Sequence, residues 1–195
     1  TGVGSFYKLE NFDQAKFDVW FKYRIEIFKN YTLKSLLNQT NKDFVLWLSF
    51  RLEEQDNLLL KNITDELYGQ GLQYNLTFNG LMYHDDKNEE LNKTLEKRLE
   101  DSLNTLPGTM SSWIYLTRID SDDMFHKDVV QLIQDQEPFE GALTLQLGHV
   151  YNKNTGEVAG WNPLTNPPFH TIIFPRDTFF DTQKHLAYYK GFESH

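Results

Sequence analysis

The chain has 195 residues and a formal net charge of −9, from 19 Lys and Arg against 28 Asp and Glu. A domain of this length buries about two thirds of the surface that its unfolded chain exposes, so it needs neither disulfides nor metal to fold. The absence of cysteine excludes a disulfide framework, a Cys-ligated zinc site and a thiol nucleophile. Residues 51–150 carry 8 basic and 19 acidic side chains, which argues against binding to nucleic-acid phosphates.

Strands and helices are predicted to alternate through the first half of the chain. Runs of aromatic and branched residues predict strands, and apolar side chains spaced three or four residues apart predict helices. The predicted strands cover residues 17–24, 44–50 and 72–78. The predicted helices cover residues 25–38 and 54–68. The 44–50 strand is almost wholly apolar, which is typical of a parallel strand covered on both faces.

The second half of the chain begins with a charged helix and ends in β structure. The predicted elements there are a helix over residues 84–106, a strand over 112–119 and a short helix over 124–135. They continue with a hairpin of strands 142–149 and 158–161, a strand over 171–174 and a last helix over 183–189. This order predicts an α/β fold with a β-rich C-terminal part.

Three carboxylates, Asp120, Asp122 and Asp123, follow the fourth predicted strand. Ligands of parallel sheets bind beyond the carboxyl ends of the strands, where Arg24 is also expected. Like charges this close raise each other's pKa values, and a bound Mg²⁺ or Mn²⁺ would remove that cost. A second interpretation stays open, in which Ser121, Asp122 or Asp123 caps the helix that follows.

Two stretches of the chain resemble GT-A-type glycosyltransferases. Arg-Ile-Asp-Ser-Asp-Asp, at residues 118–123, resembles their Asp-x-Asp motif. Tyr-Thr-Leu-Lys-Ser-Leu-Leu-Asn-Gln-Thr, at residues 31–40, and Asp-Phe-Val-Leu-Trp, at residues 43–47, resemble their first helix and second strand. Over residues 17–135 the chain is similar to rhamnosyltransferase-like domains of bacteria and large DNA viruses.

The resemblance implies a GT-A fold, in which a mixed, mainly parallel central sheet lies between helices, as one catalytic domain over residues 1–195. Residues 17–135 would bind the nucleotide sugar, and residues 136–195 would face the acceptor. The implied activity is metal-dependent transfer of a sugar from a nucleotide-diphosphate donor, with UDP expected, to a glycan or another hydroxyl acceptor. The implied cofactor is Mn²⁺ or Mg²⁺.

The resemblance also assigns roles to individual residues. Asp120 would face the ribose or share the metal, and Asp122 matches the acid that ligates the metal. Asp123 is an extra acid beside it, and which of this adjacent pair takes the metal stays open. His195 is the first candidate to complete the metal shell, with His170 and His185 behind it. In such a site the metal bridges the two phosphates and neutralises the charge that develops on the leaving nucleotide diphosphate.

Two arginines and one carboxylate complete the predicted site. Arg24 and Arg118 suit the donor diphosphate, because a guanidinium makes paired hydrogen bonds to phosphate oxygens. An inverting enzyme needs a carboxylate that deprotonates the acceptor hydroxyl, and Asp177 is the first candidate. A retaining enzyme needs no such base, and the sequence leaves both possibilities open.

Two other functions fit the same residues. A carbohydrate-binding or interaction domain could keep this fold without turnover, and a metal-dependent phosphohydrolase or nucleotidyltransferase would also use clustered aspartates. The sequence holds neither a long apolar run nor a signal peptide, so we expect a cytoplasmic protein. Because the chain starts without Met, we expect either a cleaved tag or excision from a longer protein, which could carry further domains.

Overall fold

The computed structural model describes residues 14–50, 54, 57–77, 112–162 and 169–179, together with positions 90, 93, 94, 97, 100, 101 and 104. The chain divides into two compact units. The first unit comprises Thr1–Thr109 and Asp120–Asp135, and the second comprises Met110–Ile119 and Gln136–His195. The single catalytic domain over residues 1–195 stays a prediction.

The first described element of the first unit is a long helix, where the sequence predicted a strand. This helix consists of α1 (Gln14–Ile27), a π-helical segment (Phe28–Thr32) and α2 (Leu33–Leu37), which follow one another without a break. The strand predicted over residues 17–24 is therefore wrong. The helix predicted over residues 25–38 is confirmed at its end, which lies at Leu37, but the described helix already starts at Gln14.

The spacing of buried side chains explains why residues 17–24 are helical. Phe17, Phe21, Ile25 and Phe28 are all buried, at intervals of four, four and three residues. Side chains at these intervals lie on one face of a helix, whereas a strand places alternate residues on the same face. The aromatic composition favoured a strand, but the period of burial decided the structure.

Two parallel strands joined by a helix follow the long helix. Their bounds are β1 (Leu46–Ser49), α3 (Leu58–Gly69) and β2 (Tyr74–Thr77), and Leu46 lies opposite Tyr74 in the pair. Helix α3 begins where the side chain of Asn57 accepts a hydrogen bond of 3.0 Å from the backbone N–H of Leu59. These elements confirm the predicted strands and helix with shorter bounds. The core of the first unit is formed by the apolar faces of α1, α2 and α3 together with Leu46 of β1.

A three-stranded antiparallel sheet forms the centre of the second unit. It consists of β3 (Trp113–Thr117), β4 (Gly141–Leu145) and β7 (Phe169–Pro175), with β7 in the middle. Thr117 lies opposite Thr171, and their side-chain oxygens are 2.8 Å apart. The four residues 171–174 are buried, as expected for a strand covered on both faces. A short helix, α5 (Arg176–Phe179), follows β7.

A separate two-stranded hairpin extends the second unit. Strands β5 (Gly148–Tyr151) and β6 (Val158–Trp161) pair antiparallel, so the predicted hairpin is confirmed in its second strand. Its predicted first strand, residues 142–149, is wrong as one element, because residues 142–145 belong to β4 and pair with β7. Gly156 adopts a φ of 78° in the turn, a conformation that an L side chain disfavours. The remaining described helix, α4 (Val129–Gln134), belongs to the first unit and is shorter than the helix predicted over residues 124–135.

The fold class is confirmed only in its coarse form. The described residues form a mixed α/β structure whose strand pairs are mostly antiparallel, and within them β1 and β2 make the one parallel pair. A mainly parallel GT-A sheet is thus not seen in this part of the chain. The leucines of the predicted 84–106 helix and the whole predicted 183–189 helix lie outside the described residues, although positions 90, 93, 94, 97, 100 and 101 are helical. Among the described helices, none has the length and apolar character that crossing a membrane requires.

Candidate functional site

The three carboxylates predicted to act together lie in a tight turn, residues 120–123, which we call the acidic turn. The backbone N–H of Asp123 donates to the carbonyl of Asp120 at 3.1 Å and closes the turn. Asp122 is exposed, whereas Asp120 and Asp123 are half-buried. The following helix α4 begins at Val129, with Asp128 in the capping position. The acidic turn therefore does not cap that helix, and the capping interpretation is wrong.

Arg24 of α1 binds the acidic turn through three hydrogen bonds. Its Nη1 donates to Oδ2 of Asp122 at 2.8 Å, and its Nη2 donates to Oδ1 at 3.0 Å. Nη2 also donates to Oγ of Ser121 at 2.6 Å. A guanidinium that meets both oxygens of one carboxylate forms the strongest and most directional kind of protein ion pair. The structure thus brings together two residues that stand 98 positions apart in the sequence.

The helical period of α1 places Arg24 at this position. Its neighbours Phe21 and Ile25 are buried in the core, and Arg24 leaves the helix at the edge of that buried face. The Arg24 side chain is 20% exposed to solvent, and the Asp122 side chain is 48% exposed. The pair is therefore partly shielded from water on the arginine side, which strengthens the attraction compared with a fully exposed pair.

The charges in this pair shift each other's protonation equilibria. Hydrogen bonds from Arg24 lower the pKa of Asp122, although partial burial acts in the opposite direction. The hydrogen bond to Asp122 in turn raises the pKa of Arg24, and attraction by Asp120 and Asp123 adds to that rise. Arg24 therefore interacts electrostatically with all three carboxylates of the acidic turn.

Polar side chains at and after the end of α2 hold the segment that follows the acidic turn. Ser35 donates to the carbonyl of Thr32 at 2.8 Å, and its Oγ accepts from the backbone N–H of Phe125 at 3.2 Å. Gln39 is 2% exposed, and its amide nitrogen donates to the carbonyls of Ser35 at 3.0 Å and of His126 at 2.9 Å. The Gln39 side-chain oxygen accepts from the backbone N–H of Val130 at 3.1 Å.

Residues 40 and 41 form further hydrogen bonds to the same segment, at residues 127–131. The backbone N–H of Thr40 donates to the carbonyl of Lys127 at 2.8 Å, and the Thr40 hydroxyl donates to Asp128 at 3.0 Å. Asn41 donates to the side-chain oxygen of Gln131 at 3.0 Å. Sequence analysis missed these roles, because a polar turn after a helix looks the same whether or not it has a distant partner.

The other predicted site residues belong to the second unit or lie outside the described residues. Arg118 and Asp177 belong to the second unit, where Arg118 is exposed and its backbone N–H donates to the carbonyl of His170 at 3.1 Å. Asp177 is exposed in the first turn of α5. His195 and His185 lie outside the described residues. The roles predicted for Arg118, Asp177 and His195 stay predictions.

The described side chains do not fit a divalent ion at Asp122. Both of its carboxylate oxygens already accept hydrogen bonds from a guanidinium, which would have to leave before a metal could bind there. Within the part of the chain that the structure describes, no three His, Asp or Glu side chains come together as a metal site. The Mn²⁺ or Mg²⁺ that the resemblance implies stays a prediction, and we derive no step through it.

Comparison with known proteins identifies the family of this chain. A family model matches residues 10–146, which is more than two thirds of the chain. The match includes Arg24, the acidic turn and the polar residues that follow α2, and it ends before the β5–β6 hairpin. Neither a curated protein nor a solved structure matches the chain significantly. The chain therefore belongs to the family described as "Putative rhamnosyl transferase".

Proposed function

We propose that the protein is a glycosyltransferase that moves a sugar from a nucleotide-diphosphate donor, with a UDP-sugar as first choice, to a hydroxyl of a glycan acceptor. The observation that carries the proposal is the family match, which supports a glycosyltransferase and spans both Arg24 and the acidic turn. These two features meet in the folded chain although they stand far apart in the sequence. A rhamnosyl donor is the finer proposal that the family description suggests.

Arg24 has the chemistry to contact the donor diphosphate. A guanidinium carries five N–H donors, and three of these are used by Asp122 and Ser121. The other donors could meet a phosphate oxygen without breaking the pair. A fixed cation at that position would stabilise the negative charge that develops on the nucleotide diphosphate as the bond to the sugar breaks.

The other proposed contacts with the donor and the acceptor use residues that were predicted from the sequence. Asp120 is half-buried in the acidic turn and is proposed to accept hydrogen bonds from the donor ribose. Arg118 is proposed as a second contact for the diphosphate. If the reaction inverts the anomeric centre, Asp177 is proposed to take the proton of the acceptor hydroxyl as the new glycosidic bond forms.

The test is a thermal-shift measurement on the full chain with a set of nucleotide sugars, each with Mn²⁺ and with EDTA. A ligand at about 100 times its Kd stabilises the folded state by about 2.7 kcal/mol. For a chain of this size that corresponds to a rise in Tm of about 5 to 10 °C. Asp120→Asn should reduce the shift, whereas Glu157→Gln in the exposed hairpin turn should not. The proposal fails if no nucleotide sugar raises the Tm of the wild-type protein.

The competing functions predict other outcomes of the same measurements. A phosphohydrolase would release phosphate from simple esters in the absence of a sugar acceptor. A carbohydrate-binding domain would bind a glycan but no nucleotide sugar. A transferase should bind the donor and pass its sugar to an acceptor, so product formation detected by mass spectrometry separates it from both.

A further inference from the structure

The charge arrangement around the acidic turn differs from the one that the sequence suggests. Three carboxylates within four residues call for a cation, and a divalent ion was the expected one. In the folded chain Arg24 supplies a positive charge there, bound to both oxygens of Asp122 and attracted by Asp120 and Asp123. The turn therefore has a cation of its own.

Hydrogen bonds from several residues also fix the acidic turn and the segment that follows it. Arg24 binds Ser121 and Asp122. Beyond the turn, Ser35 binds the backbone of Phe125, and the buried Gln39 binds the backbone of His126 and Val130. All of these anchors lie on the helix over residues 14–37 or just after it. Such a segment is fixed by the protein itself, without a ligand.

We propose that Arg24 is the resident cation of the acidic turn, and that Asp122 is a positioning residue that fixes the turn through Arg24 instead of binding a divalent ion.

Energetics favour this assignment over a metal at Asp122. To reach the oxygens of Asp122, a divalent ion would have to break two charge-assisted hydrogen bonds, each stronger than a neutral one. It would also leave a guanidinium with only 20% of its side chain exposed next to a dication, without its partner. Separating a partly buried charge from its partner costs more than the pair contributes. The assignment concerns Asp122 alone and leaves open whether other residues bind a metal.

The first arm of the test asks whether the two residues act as a pair. Arg24→Gln and Asp122→Ala, made separately in the full chain, should each lower the Tm by about 2 to 4 °C. The double variant should fall no further than the single ones, because either change removes the same interaction. Arg24→Lys keeps the charge but loses the paired geometry, and its Tm should lie between those of the wild type and Arg24→Gln.

The second arm uses Mn²⁺ alone, titrated against each protein and followed by the loss of its free-ion electron paramagnetic resonance signal. The wild type and Asp122→Ala should give the same titration curve, because Asp122 is not a ligand. In Arg24→Gln the oxygens of Asp122 no longer accept hydrogen bonds from Arg24. In a parallel thermal-shift measurement, Mn²⁺ should therefore raise the Tm of this variant more than that of the wild type. Lys29→Gln is the matched control: it removes the Lys29–Glu66 ion pair of 2.6 Å in the same unit and should leave the Mn²⁺ curve unchanged.

Two results would overturn the assignment. One is a fall of about tenfold or more in Mn²⁺ affinity on Asp122→Ala, the scale expected when a metal site loses a group it needs. The other is additivity of the two Tm changes, which would mean that Arg24 and Asp122 act independently. If Asp122→Ala does not fold, Asp122→Asn takes its place in both arms. Neither arm uses a nucleotide sugar, so failure of donor binding would count against the proposed function and not against this assignment.

Discussion

The side-chain oxygen of Gln39 accepts a hydrogen bond of 3.1 Å from the backbone N–H of Val130, 91 residues further along the chain. The same side chain donates to the carbonyls of Ser35 and His126, so one buried amide satisfies three backbone groups. Because Gln39 is 2% exposed, water cannot easily replace these bonds when the side chain is removed. Gln39 thus connects the end of the first helix to the segment that carries the acidic turn.

Replacing Gln39 should therefore destabilise the protein strongly. Gln39→Leu keeps a side chain of similar size but replaces the amide with an apolar group, which leaves buried backbone groups unpaired. We expect it to lower the free energy of unfolding by about 2 to 4 kcal/mol. Urea unfolding followed by circular dichroism measures this change. Asn41→Ala is the control, because its bonds to Gln131 and Gln134 are exposed and only the bond that it accepts from the backbone N–H of Asp43 is part-buried. We expect this variant to lose no more than about 1 kcal/mol. Equal losses in the two variants would contradict a central role for Gln39.

The Arg24–Asp122 pair should make stability depend on pH. Arg24 lowers the pKa of Asp122 in the folded state below its value of about 3.9 in the unfolded chain. The stabilisation is therefore complete above the unfolded pKa and is lost as the pH falls through the folded pKa. The difference in unfolding free energy between the wild type and Asp122→Asn should be about 1 kcal/mol or less at pH 7 and should vanish toward pH 2.

Urea unfolding of both proteins at a series of pH values between 7 and 2 measures this difference. Added salt should reduce it at pH 7, because the Asp122 side chain is 48% exposed. In an Arg24→Gln background, Asp122→Asn should have little effect at any pH in this range. A difference that survives the loss of Arg24 would show that another group is responsible for the shift.

The start of α3 should be sensitive to its capping residue. Asn57 accepts a hydrogen bond from the N–H of Leu59, one of the backbone groups that the helix itself cannot pair. Asn57→Ala should lower the free energy of unfolding by about 1 kcal/mol, whereas Asn57→Asp should be close to neutral, because an aspartate can also accept this bond. Thermal unfolding of the two variants measures the difference. A similar loss in both would point to a role for Asn57 other than capping.

Two glycines of the β5–β6 hairpin should respond differently to the same change. Gly156 and Gly160 both have open space where a Cβ would lie, but only Gly156 has a positive φ, of 78°. Gly156→Ala should therefore destabilise the hairpin by about 1 kcal/mol through backbone strain alone. Gly160→Ala should be neutral or slightly stabilising, because alanine loses less conformational freedom in a strand. Hydrogen exchange of the amides of Asn152 and Gly156, which bond across the turn, measures the local stability.

The first helix shows how far the sequence can be interpreted alone. Phe17, Val19, Trp20 and Phe21 favour a strand by composition, yet the buried positions recur at helical intervals through Phe28. Local propensity is a weak preference, and the core that α1, α2 and α3 share overrides it. At the β1 strand and at the second strand of the β5–β6 hairpin, the sequence prediction held.

The sequence by itself determined the mixed α/β class, most of the short elements and the position of the acidic turn, because these depend on residue types and spacings within a few positions. Only the tertiary structure decided what the turn contacts. A guanidinium at position 24 and a carboxylate at position 122 could each pair with many groups. The packing of α1 against the segment after β3 brings this pair to 2.8 Å, and the contact of the same segment with the end of α2 gives Gln39 its two distant backbone partners, His126 and Val130. Long-range pairing of this kind depends on the arrangement of whole elements, so local sequence carries no signal for it.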